Sequence, residues 1–148
     1  MRAGWRTALR WALRLALAGI YLFAAVPKIL DPWSFARAIH NFRILPAAWI
    51  PELAVTLPAL EAIAALAVLT GLLYRGGALC LTLLSLAFAG GVGAAMARGL
   101  DIDCGCFGSL AHSSASLPHL ALNVGTAAAG IILLAWSRRP PQRRRLPR

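Results

Sequence analysis

The sequence predicts an all-α integral membrane protein: a bundle of four transmembrane helices, with a short outer amphipathic helix between helices one and two. Three observations predict it. Of the 148 residues, 59% are hydrophobic and the mean hydropathy is +0.70, which is far more apolar than a soluble domain of this length. The apolar residues fall into four blocks, each near the roughly 20 residues that a bilayer crossing needs. The charges, fifteen Lys and Arg against five Asp and Glu, mostly flank those blocks.

The blocks run from Leu13 to Leu30, Leu53 to Leu73, Gly77 to Ala97 and Leu117 to Trp136. Residues 1–12 then form a basic cytoplasmic N-terminus, 13–136 the membrane domain, and 137–148 a basic, disordered cytoplasmic tail. An Arg-rich start followed by Ala and Gly also suits a signal peptide. An uncleaved helix is preferred, because the apolar stretch continues to Leu30 and the remaining chain is equally membranous. Backbone groups in lipid must bond within their own segment, so each block is helical.

Charge sets the expected orientation. Arg2, Arg6, Arg10 and Arg14 precede or enter the first block, Arg75 lies between the second and third, and six arginines from Arg138 to Arg148 follow the fourth. No acid accompanies them. Lys28, Arg37, Arg43 and Arg98 fall on the other side, together with Asp31, Glu52, Asp101 and Asp103. The positive-inside rule places both termini in the cytoplasm and the second group outside, in the periplasm or its equivalent. The same distribution excludes nucleic acid as the expected partner of the +10 charge; the tail is expected to rest on the anionic bilayer surface.

The outer segments carry the chemistry. In "DPWSFARAIHNFRILPAAWIP", Phe35, Ile39 and Phe42 recur at helical spacing, with Trp33 and Trp49 suited to the interface. This helix either lies on the membrane surface or caps the bundle. The second outer segment contains "RGLDIDCGCFG", with Cys104 and Cys106 separated by Gly105. Cysteines two apart in an extended chain point the same way, and their Cα atoms are at most about 7 Å apart. A turn at Gly105 brings them within bridging range. Closing so short a loop removes little chain entropy, and a strained bridge exchanges readily. An exchange-competent redox pair is therefore expected in preference to a structural staple. Asp101 and Asp103 oppose thiolate formation nearby, and Arg98 relieves this only in part. Metal binding is the competing chemistry, with His112 or His119 as further ligands. The spacing C-x-C-x5-H matches no standard zinc signature, so no metal site is assigned.

Within the apolar blocks, Glu61 stands near the middle of the second, three residues after Pro58. A carboxyl at that depth is costly and marks a functional candidate. Three readings stand level: an ion pair with Lys28 of helix one, a protonated Glu61 bonded to Asn123 or Thr126, and a proton site serving the thiols. Ala89, Gly93 and Ala97 fall four apart in the third block and predict close helix packing. Cys80, in the same block, reads as a small buried hydrophobe.

Together, "PKILDP", the Leu45-Pro46 step, "LPALEA", the Arg75 turn and "RGLDIDCGCFG" resemble the MauE family within the DoxX-like membrane proteins. The resemblance covers roughly residues 14–136, and "CGCFG" is its most specific part. It implies four transmembrane helices in a bacterial inner membrane and a role in maturing disulfide-containing periplasmic proteins, of which methylamine dehydrogenase is the namesake's client, alongside a thioredoxin-like partner. Lys28, Glu61, Arg98, Cys104 and Cys106 match the family pattern. An arginine expected early in the last helix is replaced by the region of His119 and Asn123. The function expected is thiol–disulfide exchange through Cys104 and Cys106 with a periplasmic thioredoxin-like protein or its client. No second dithiol exists in the chain, so a membrane quinone docking near Glu61 is the candidate electron carrier. A non-enzymatic scaffold for the thioredoxin-like partner and a metal-handling protein remain the alternatives.

Overall fold

The computed structural model describes residues 2–100 and 117–137. They form α1 (Arg2–Leu30), α2 (Pro32–Asn41), a 3-10 turn (Ala47–Trp49), α3 (Ile50–Thr70), α4 (Tyr74–Ala97) and α5 (Leu117–Ser137). Cys104, Cys106, Asp101, Asp103, His112 and the tail from 138 onward lie outside the described residues.

Four helices are long and apolar enough to cross a membrane: Thr7–Leu30, Ala47–Thr70, Tyr74–Ala97 and Leu117–Ser137. The chain is a multi-pass membrane protein. Each crossing helix packs on the next in sequence, and α1 also touches α5 to close the bundle. Leu17, Ala65, Val68, Leu81 and Leu133 form its sealed interior. Phe23, Ile63, Leu83 and Ile131 point outward, where lipid replaces water and apolar exposure costs nothing. Without a hydrophobic force between helices in lipid, close packing and buried polar contacts must hold the bundle.

The first helix begins earlier than the apolar block that predicts it, at Arg2. Ala, Leu and Arg are strong helix formers and no proline precedes Pro27, so nothing stops the helix at the edge of the apolar stretch. Arg14 shows what this basic turn does. Its Nε and Nη2 donate to the Val68 carbonyl at 3.0 and 2.8 Å, and Nη2 also reaches Leu69 O at 3.3 Å. These are orphan carbonyls at the C-terminus of α3, where a cation is favoured. Gly71, at φ 86°, then ends that helix in the left-handed conformation. Proline at position 58 does not break α3, which runs unbroken through it with Pro58 buried.

The tight seam between helices is not the Ala89, Gly93, Ala97 stripe. A Cβ added at Gly93 would meet nothing within 4 Å. Close approach occurs instead at Gly77, where a Cβ would stand 2.7 Å from the Ala64 carbonyl, and at Gly130, where it would strike the Thr82 hydroxyl. Position along a helix does not reveal which face meets a neighbour; the crossing geometry does.

Candidate functional site

Two of the sequence-predicted side chains, Lys28 and Arg98, lie at the end of the bundle opposite the termini. Asp31 stops α1 from running on and starts α2: its carboxylate accepts from the Ser34 N–H at 3.0 Å, and Pro32 takes the first turn. Phe35 and Ala38 then bury against the bundle, so α2 caps it while Trp33 and Trp49 stay exposed at its margin. The Ser34 backbone N–H, followed by the Ser34 side chain, holds the Asp31 carboxyl below its ordinary range. A depressed native value makes the cap present above the unfolded value of about 3.9 and lost as pH falls through the native one. Amide exchange in the first turn of α2, corrected for intrinsic rates, should therefore accelerate in acid. Asp31→Asn, which caps without titrating, should remove that dependence; an unchanged acid profile would exclude Asp31 as its source.

Beneath α2 lies the ion pair. Lys28 Nζ donates to both Glu61 oxygens, at 2.8 and 3.0 Å, and the residues are 2% and 0% exposed. The rings of Phe35 and Phe88 each stand 5.0 Å from the same ammonium, adding cation–π attraction and excluding solvent. Pairing across α1 and α3 is one of the arrangements the sequence left open for the two charges in apolar blocks. Neither Asn123 nor Thr126 bonds Glu61. Asn123 Nδ2 donates to His119 O at 2.9 Å, and the Thr126 hydroxyl lies 3.0 Å from Ser85 Oγ.

That contact belongs to a buried chain that sequence reasoning missed. Tyr21 Oη stands 2.6 Å from Ser85 Oγ, which in turn meets Thr126, linking α1, α4 and α5. Each hydroxyl was visible as a polar residue in an apolar block; asking where each one finds its partner would have exposed the chain. No buried side-chain polar atom among the described residues is without a hydrogen bond.

Arg98 ends α4 and ties it to the turn after α2. Its Nε donates to Ala94 O at 3.0 Å, Nη2 to Phe42 O at 2.6 Å and Nη1 to Arg43 O at 3.4 Å. Arg43 itself sits at φ 50°, the left-handed conformation that turns the chain away from α2. Lys28 and Arg98 thus stand at one end of the bundle, with Lys28 reaching Glu61 in the middle of α3, and residues 101–116, with both cysteines, join α4 to α5 in the chain. Of the alternative metal ligands, Cys104, Cys106, Asp103 and His112 fall in that connection, outside the described residues, and His119 lies in the first turn of α5. Cys80 is half-buried against the interior cluster at the other end of α4.

Residues 6–137 match the family model described as methylamine utilisation protein MauE. The chain belongs to the MauE family. It is 36% identical over 98 residues to methylamine utilization protein MauE of Paracoccus denitrificans, covering 66% of this chain and 53% of that one. It is also 36% identical over 104 residues to the protein of the same name from Paracoccus versutus, covering 67% and 54%. The chain therefore spans about half the length of the curated MauE relatives it matches. No solved structure matches it. The matched region of the MauE model takes in all four crossing helices and the Cys-Gly-Cys segment.

Proposed function

We propose that this chain is an inner-membrane thiol–disulfide exchange protein that serves the maturation of a disulfide-containing periplasmic protein. Cys104 and Cys106 are its reactive pair, and the partner is a periplasmic thioredoxin-like protein or its client. The names of its relatives point to methylamine utilisation, so a client of the methylamine dehydrogenase type is the one assigned.

The observation that carries the reading is the location of the only two cysteines separated by one residue. They fall in the connection at the α2 end of a bundle whose opposite end carries Arg14, Arg75 and the basic termini. By the positive-inside rule the thiols then face the periplasm, where disulfides form and persist. The Arg98 bonds tie the end of α4 to the turn after α2 just before this connection begins.

In the oxidising direction, a partner thiolate attacks one sulfur of the Cys104–Cys106 disulfide, forming a mixed disulfide and releasing the other as thiolate. The second partner thiolate then attacks the mixed bond. The partner leaves with a disulfide, and Cys104 and Cys106 hold the two electrons as a dithiol. Cys104→Ser/Cys106→Ser should leave membrane insertion intact and leave the client with free thiols, scored by mass-tagging alkylation in cells. A client whose redox state is unchanged in the double variant would sink the proposal.

A further inference from the structure

Between α2, the turn that follows it and the adjoining half of α4 runs an open groove of about 660 Å³, within the size range of small-ligand sites. Its lining extends along α4 from Leu84 to Arg98, about 21 Å at the helical rise. Glycines make the width: a Cβ at Gly91 would meet nothing closer than the Phe42 ring at 3.8 Å, and one at Gly90 nothing within 4 Å. The walls are apolar, with the rings of Phe35, Phe42 and Phe88 among them. Among the described residues, charge enters at one place only, from Arg43 and Arg98, which adjoin through the 3.4 Å bond, and none of the lining residues is acidic.

Such a groove suits an amphiphile with a flat, acceptor-only head and a linear apolar tail. Arginine offers five N–H donors and no acceptor. Among the described residues Arg98 bonds three carbonyls, fewer than its five N–H donors. The redox balance narrows the class. Each round of partner oxidation leaves two electrons on Cys104 and Cys106, and the remaining cysteine, Cys80, is single and lies 18 residues back along α4 from Arg98, about 27 Å away. A lipid-soluble two-electron acceptor must take them. Arg98 is six residues from Cys104, so the chain limits their separation to at most about 21 Å.

Resting on the exchange reading above, we infer that this groove is the docking site of an isoprenoid quinone, with its head at Arg43 and Arg98 and its tail along α4. The two thiols become a disulfide, giving up two electrons and two protons; the quinone takes both at its carbonyl oxygens and leaves as quinol. The site therefore lies beside α2 and α4, on the far side of Phe35 and Phe88 from a direct contact with Glu61.

The test uses the full chain in nanodiscs with decylubiquinone as probe. Quenching of tryptophan fluorescence should saturate, and Gly91→Leu or Ala94→Leu, two independent fillings of the groove, should each weaken it by about tenfold, equivalent to 1.4 kcal/mol. Cys104→Ser/Cys106→Ser should bind the probe as wild type does but reduce none of it, whereas pre-reduced wild type should yield one quinol per chain. Binding that survives alongside a client indifferent to the cysteines would overturn the exchange reading and leave the groove assigned. Absence of saturable quenching, indifference to both fillings, or equal displacement by dioleoylphosphatidylglycerol would overturn the quinone site.

Discussion

Replacing Lys28 by methionine is expected to destabilise the protein by about 3–5 kcal/mol, the cost of leaving one member of a buried ion pair without its partner. Both carboxylate oxygens of Glu61 bond the Lys28 ammonium, and Glu61 is fully enclosed. Nothing else among the described residues is bonded to that carboxylate. Lipid and packed side chains cannot replace the lost ammonium as water would. Glu61→Leu should cost a comparable amount for the mirrored reason. The double variant Lys28→Met/Glu61→Leu removes both charges and fills similar volume, so it should recover most of the loss. Unfolding in mixed detergent micelles measures all three. If the two single losses simply add in the double variant, the pair is not a coupled unit and the account of this site is wrong.

The second large effect is steric. Gly130→Ala should cost about 1–3 kcal/mol, as overpacking a well-filled interior does. The new methyl would strike the Thr82 hydroxyl and lie 3.3 Å from Thr82 Cβ. Thr82 cannot swing away freely, because it is buried and donates to Ala78 O at 2.7 Å. Combining Gly130→Ala with Thr82→Ala removes the obstructing hydroxyl and should restore much of the stability. Gly125→Ala is the control, since a Cβ there meets nothing within 4 Å; better helix propensity should make it neutral or slightly stabilising. Equal behaviour of the Gly125 and Gly130 variants in the same unfolding assay would contradict the close contact between α4 and α5.

These two sites differ in how much the sequence could reveal. A lysine and a glutamate inside apolar blocks each demand a partner, so residue type and depth made Lys28–Glu61 one candidate pair, and the packing of α1 on α3 decided it over Asn123 and Thr126. Helix number and order were readable, because a bilayer admits only helices of a set length in such a chain. Gly130 was not readable, since thirteen glycines share one composition and only helix crossing angles decide which ones touch. The same blindness misassigned the close seam to Ala89, Gly93 and Ala97. The start of α1 was missed because hydropathy marks where lipid ends, whereas helix propensity continues to Arg2. The groove along α4 needs the apolar face of α2 to settle across from Gly90 and Gly91, a tertiary event that neither segment announces alone.

The central claim is that Cys104 and Cys106 exchange disulfides, and the most direct measurement is their redox equilibrium in intact membranes. In a Cys80→Ala background, membranes are poised with glutathione buffers of graded potential, and free thiols are trapped with a mass-tagging alkylator. The account predicts a reversible two-electron transition, about 30 mV of potential per tenfold change in the ratio of dithiol to disulfide. Thiols that stay reduced at every poise, or that added zinc shields from alkylation, would contradict it.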